Sequence, residues 1–140
     1  DYPTYSEELM IVKKTTISTN ISLDTIMSSE EILKYQHVIT KLPVTDNLFE
    51  YAVGLVAKTR PESDKAADIV KKYIEWGAGP RASQYMIMAA KCHAAIHGKY
   101  APDIEDIKAV AKPILRHRIV KNYKAEAEGM SIDQIISSIL

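Results

Sequence analysis

The stretch Gly77-Ala78-Gly79-Pro80-Arg81-Ala82 places two glycines, a proline and a cation at what reads as the start of a helix. Gly77 and Gly79 allow positive φ and close backbone approach. Pro80 suits the first helical position, where its missing N–H costs nothing. Free N–H groups are then expected to point outward, with Arg81 among them. A cation in the first turn is opposed by the helix dipole, by about 0.3–1 kcal/mol at an exposed site. The placement makes sense where an anion binds, held by the guanidinium and the positive end of the helix together. The competing reading is an arginine in solvent, or one paired with a nearby carboxylate.

Other residues offer weaker chemistry. His93 and His97 have the four-residue spacing of metal ligands on a helix, but Ala94 follows His93 where an HExxH site needs Glu, and no third ligand is evident. No metal site is expected. Cys92, the single cysteine, sits in an apolar helical stretch and reads as a buried structural thiol; alone it excludes an internal disulfide and fits a reducing compartment. Met86 and Met88 read as core filler, and Trp76 as a packing anchor for the glycine turn. The tract Lys112 to Lys124 (KPILRHRIVKNYK) interleaves cations with apolar residues. There is no GxxxxGKS/T phosphate loop, no Rossmann glycine pattern, no GxSxG elbow and no HExxH. No complete catalytic site is present in these residues.

The elements that must position Arg81 are helical. Pro3 and Thr4 lead into a helix over about residues 5–15, with Tyr5, Leu9 and Val12 on its apolar side. Residues 16–27 (TISTNISLDTIM) have no helical period and predict an irregular or short extended segment. Ser28 with Glu31 makes a capping box for a second helix, ended by Leu42-Pro43. Asp46 is the predicted N-cap of a third, with Phe49, Val53 and Val56 as its core stripe and Leu48, Ala52 and Leu55 beside it. After the polar loop Arg60 to Asp64 a short helical piece runs to about Ile74. The most apolar helix, the predicted centre of the domain, runs from Pro80 to about His97, with Gly98 as a natural stop. Pro102 opens a further helix that Pro113 is expected to break, with another turn or two in ILRHRIV. Residues 122–129 read as a polar loop, and Ser131 with Gln134 caps a last helix whose Ile135, Ile136 and Ile139 dock on the body. The expectation is one all-α domain over residues 1–140, of about six helices.

The chain of 140 residues is 46% hydrophobic and 26% charged, too apolar for disorder and long enough for a core without disulfide or metal support. Its apolar runs are too short for a membrane span, and no signal peptide is evident. Net charge is zero, but the balance shifts along the chain: residues 1–80 carry 9 cations against 12 acids, residues 81–124 carry 9 against 3. The second half could present a positive face, although solvated helix surface explains most of it.

Taken in order, the motifs YIEWGAGPRASQYMIMAAKCHAAIHGKY, VAKPILRHRIV and AEAEGMSIDQII resemble the C-terminal lid of MoxR-type AAA+ ATPases. That family shows a G-A-S-P-R-A element, a long Ala- and Leu-rich helix, a P-E-D-V helix and an H-R pair. The opening YPTYSEEL is similar to its first lid helix, so the likeness covers essentially the whole chain. The resemblance implies a helical bundle of the AAA+ lid type and assigns Arg81 as the sensor 2 arginine, reaching the γ-phosphate of ATP on the preceding core. Gly79 and Pro80 would form the helix N-terminus at that nucleotide. His117 and Arg118 match the H-R pair and are candidates for a nucleotide or subunit edge. Gly79 stands where the family usually has Ser, which removes a side-chain N-cap and leaves the geometry open.

With Asp1 in first place, the resemblance also implies a piece of a longer protein whose core carries the Walker motifs. This fragment alone would not hydrolyse ATP and would bind no cofactor, while the cytoplasmic parent would be an ATP hydrolase using ATP and Mg. Its implied partners are the N-terminal core of the same chain, neighbouring subunits of a ring and a client with a von Willebrand A domain, with neither membrane nor nucleic acid expected. The function implied is nucleotide sensing coupled to chaperone-like remodelling. Two alternatives are a protein-interaction bundle without nucleotide role and a nucleic-acid-binding module using the basic half.

Overall fold

A computed structural model describes residues 2–17 and 22–140, and these form eight helices and a two-stranded antiparallel ribbon. The extra helices over the expected six are short. The extended stretch expected within residues 16–27 lies partly outside the described residues, and residues 22–27 contain no strand. The described chain divides into two compact units, Asp1–Ile32 and Leu33–Leu140, the boundary falling inside one helix.

The first unit holds α1 (Tyr5–Thr16) and the start of α2 (Ser29–Lys41). Both begin on reciprocal caps. The Glu7 carboxylate accepts from the Thr4 N–H at 2.8 Å, and that of Glu31 from the Ser28 N–H at 2.8 Å. Neither helix buries a residue; Leu9, Met10, Ile11 and Val12 are all exposed.

Among the described residues, all the buried core belongs to the second unit, built from α3 (Asp46–Lys58), α4 (Asp68–Tyr73), α5 (Pro80–Ile96), α6 (Ile104–Leu115), α7 (Tyr123–Ala127) and α8 (Ile132–Ile139). Helix α5 packs against both α3 and α6. Its contact face is stepped with small residues: Ala82, Ala90 and Ala94 flank Met86, and all four are fully buried. Small side chains let helix axes approach toward the lower end of the usual spacing. Ile107, Ala111 and Leu115 of α6 meet this face, and Ile135, Ile136 and Ile139 of α8 close the core as expected.

Several expectations are corrected. The α3 core stripe is Leu48, Ala52, Leu55 and Val56, whereas Phe49 and Val53 are exposed. Adjacent apolar pairs along α3 offer two faces of similar hydropathy, and packing against α5 decides between them. Asp46 is the first helical residue, with Thr45 at the N-cap. Pro113 does not break α6 but lies in its last turns, on an exposed side where the backbone bond it forfeits can be replaced by water. Asn122 caps α7 by accepting from the Ala125 N–H at 3.0 Å, so the polar loop is a short helix. Strands β1 (Ile74–Trp76) and β2 (Val120–Lys121) pair antiparallel, with an irregularity between Ile74 and Trp76. That irregularity breaks the inward alternation: Ile74 is buried and Trp76 is 65% exposed, so Trp76 does not anchor the turn. Cys92 is only partly buried.

Asp106, fully buried, ties α5 to α6. Its carboxylate accepts from the Asp103 N–H at 2.8 Å and meets His93 Nδ1 at 2.7 Å and Lys99 Nζ at 3.1 Å. Burial pushes this carboxyl up. The Asp103 backbone bond and the bonds from His93 and Lys99 outweigh that and bring it to about 2.

The β1–α5 connection is Gly77-Ala78-Gly79, and it lies against the C-terminal end of α3. A Cβ on Gly77 would sit 2.4 Å from the Thr59 carbonyl oxygen and 2.6 Å from Arg60 Cα. Neither Gly77 nor Gly79 has positive φ; among the glycines only Gly98 and Gly129 do. Gly79 is extended (φ −84°, ψ 178°), and a Cβ there meets nothing within 4 Å.

Two outcomes are expected in denaturation experiments on this chain. Gly77→Ala loses about 1–3 kcal/mol through the forced backbone contact, whereas Gly79→Ser gains about 0.5 kcal/mol by restoring a side-chain cap. For Asp106 the folded carboxyl lies below its unfolded value, so its contribution of about 2 kcal/mol is complete above pH 4 and is lost as pH falls toward 2. Asp106→Ala removes that acid-limb dependence in urea melts followed across this pH range.

Candidate functional site

Arg81 stands at the second position of α5, exposed to solvent. Gly79 at the N-cap supplies no side-chain oxygen, Pro80 supplies no N–H, and the first turn contains no acid. The Ala82 N–H is taken by the Gly79 carbonyl at 3.0 Å, so fewer donors are free here than the sequence suggests. The Arg81 N–H and guanidinium have no partner among the described residues. Neither carboxylate pairing nor burial neutralises the cation, and the uncapped helix end adds partial positive charge beside it.

The other cations of the basic half are largely committed. Lys99 pairs with Asp103 and Asp106, Lys108 with Glu105, Arg116 with Asp133 and Lys121 with Glu126. Lys91 donates to the Thr40 carbonyl at 2.9 Å. Only Arg81, Lys112 and Lys124 of the nine make neither hydrogen bond, ion pair nor ring contact with the described residues. Arg81 and Lys124 both stand at a second helical position, but α7 is five residues long and capped by the Asn122 side chain, whereas the start of α5 has no side-chain cap. The continuous positive face considered from the sequence is interrupted by acids.

The H-R pair follows α6. Arg118 donates to the Ile114 carbonyl at 2.6 Å and bonds to His117 Nε2, and its guanidinium lies 5.1 Å from the Tyr85 ring centroid. Tyr85 is one helical turn beyond Arg81, and residues four apart share a helix face. The fold therefore brings Arg118, distant in sequence, to the side of α5 that carries Arg81. Arg118 is half-buried and His117 exposed; both border a shallow groove with Tyr85, Met88, Val110 and Pro113.

The His93 and His97 rings lie 4.2 Å apart, tilted by 33°, but their Nδ1 atoms meet different partners. The first turns to Asp106, and His97 Nδ1 meets the His93 carbonyl at 2.7 Å. No group of three His, Cys, Asp or Glu among the described residues could hold a metal. No helix among them is long and apolar enough to cross a membrane.

Sequence reasoning missed Thr59 and Arg60. Thr59, fully buried, accepts the Ala78 N–H at 2.9 Å while its hydroxyl donates to the Val56 carbonyl at 2.7 Å. Arg60 Nε donates to the Ala78 carbonyl at 2.9 Å. No local signal marks these residues, because their partner lies some 19 positions away. Asp106 was legible in principle, since Asp103 and Asp106 stand at capping-box spacing.

Comparison with known proteins agrees with this architecture. The family model for the AAA lid domain matches residues 66–139, just over half of the chain. The chaperone MoxR1 of Mycobacterium tuberculosis is 31% identical over 139 residues, covering 99% of this chain and 37% of that protein. The YeaC protein of Bacillus subtilis is 26% identical, covering 99% of the chain and 41% of its relative. A 2.00 Å crystal structure of a candidate ATPase from Cytophaga hutchinsonii superposes with a TM-score of 0.78 at 33% identity, covering 99% of this chain and 42% of that one. The chain thus spans about two-fifths of the length of the proteins it matches. A helical bundle with a small ribbon, matched from α4 to α8 by the lid model and over nearly its full length by a MoxR chaperone, belongs to the AAA lid domains of MoxR-type AAA+ ATPases.

Proposed function

We propose that residues 1–140 act as the lid of a MoxR-type ATPase and sense the ATP γ-phosphate through Arg81. The observation that carries this reading is the exposed, unpartnered guanidinium at the uncapped start of α5. Phosphate offers an acceptor geometry suited to that side chain, and the helix end lowers the cost of bringing negative charge there. ATP is the substrate of the parent, bound on its core. Mg would be held by that core together with the nucleotide phosphates.

Lid closure follows as a population shift. The γ-phosphate is a ligand for Arg81 in the closed arrangement only, so ATP favours closure and hydrolysis releases it. A charge-assisted contact of about 1.5–3 kcal/mol shifts the populations roughly ten- to a hundred-fold. Neighbouring subunits of a ring and the N-terminal core of the same cytoplasmic chain are the partners in this reading. Chaperone-like remodelling of a client, one with a von Willebrand A domain, is the work to which closure is coupled. His117 and Arg118 form an edge toward nucleotide or subunit, on the face of α5 shared with Arg81. The nucleic-acid alternative is weakened by the ion pairs that occupy Lys99, Lys108, Arg116 and Lys121.

Arg81→Ala in the intact ATPase lowers steady-state ATP turnover roughly ten- to a hundred-fold. The melting temperature of the lid does not fall, since no hydrogen bond, ion pair or ring contact with the described residues is lost and a cation opposed by the helix dipole is removed. Turnover at the wild-type rate in a folded Arg81→Ala protein contradicts the reading.

A further inference from the structure

No hydrogen bond, ion pair or ring contact with the described residues holds the Arg81 side chain, so its placement is inherited from its backbone. That backbone is held three residues upstream. The Ala78 backbone is bonded on both sides of its Cα by consecutive residues at the end of α3: its N–H donates to Thr59 Oγ1 at 2.9 Å, and its carbonyl accepts from Arg60 Nε at 2.9 Å. Between these two bonds Gly77 lies against the Thr59 carbonyl and Arg60 Cα, too close for any Cβ. Thr59 is itself pinned, since its hydroxyl proton goes to the Val56 carbonyl at 2.7 Å and Val56 is fully buried. Only three residues separate β1 from α5, which leaves the chain few free dihedrals once Ala78 is held.

We propose that Thr59 and Arg60 are positioning residues for Arg81, setting where the start of α5 points without touching the nucleotide. This rests on the sensing role proposed above for Arg81. A side chain that must meet a phosphate oxygen at hydrogen-bond distance tolerates little displacement, and an error of about 1 Å at such a contact costs on the order of a hundredfold in rate. Thr59 supplies the oxygen that the Ala78 N–H needs in a site closed to water. Arg60 holds the next peptide, through the Ala78 carbonyl, from an exposed position.

The test is a double-mutant cycle on ATP turnover of the intact ATPase, with thermal melting of each variant. Thr59→Val keeps the shape and removes the hydroxyl; Arg60→Met removes the Nε donor from an exposed residue and so leaves the core untouched. Each single variant is expected to lose about fivefold or more in kcat, and Thr59→Ser to restore it to within about twofold. Combined with Arg81→Ala, neither adds further loss, because both act only through that arginine. Losses that multiply with Arg81→Ala, or wild-type turnover in both single variants, overturn the positioning role alone. Wild-type turnover in Arg81→Ala instead removes the sensing role beneath it.

Discussion

The contact between Gly77 and the Thr59 carbonyl is the constraint on which the rest of the second unit depends. No side chain fits between them, so the β1–α5 connection can lie against the end of α3 only with glycine at this position. Once it does, the Ala78 N–H and carbonyl fall within reach of Thr59 and Arg60, and the buried N–H that would otherwise be orphaned finds an oxygen. An unsatisfied buried amide is costly. The hydroxyl and the missing Cβ thus support one another, and together they fix where α5 starts.

From that start the helix serves two ends. Its alanine-stepped face packs between α3 and α6, while its first turn leaves a cation and an uncapped backbone in solvent. The far end is held by a different kind of interaction, the Asp106 carboxylate gathered by a backbone N–H, His93 and Lys99. One end of α5 is therefore positioned by steric fit and by hydrogen bonds from a hydroxyl and an exposed guanidinium, the other by a buried carboxylate with its partners. Only the second is sensitive to acid.

Much of this was legible in order along the chain. The helix entry after Thr4, the caps at Ser28 and Ser131, the stop at Gly98 and the apolar triplet Ile135, Ile136 and Ile139 are local features, and they appear where spacing placed them. The errors share a cause. Phe49 and Val53 against Leu48 and Leu55, Trp76 in or out, and Pro113 as break or passenger are choices between alternatives of similar local energy. A neighbour distant in sequence decides each.

Arg81 follows the same division. Residue type and spacing alone determined that a cation would occupy the first turn of an apolar helix behind a glycine-proline entry, because helix termini are specified by a few adjacent residues. The tertiary structure alone decided that the guanidinium would be left without a carboxylate, that Arg118 would come to Tyr85 one turn away, and that Thr59 and Arg60 would grip the loop. Those outcomes depend on which surfaces meet when three helices pack, and pairings over tens of residues leave no periodic trace in the chain.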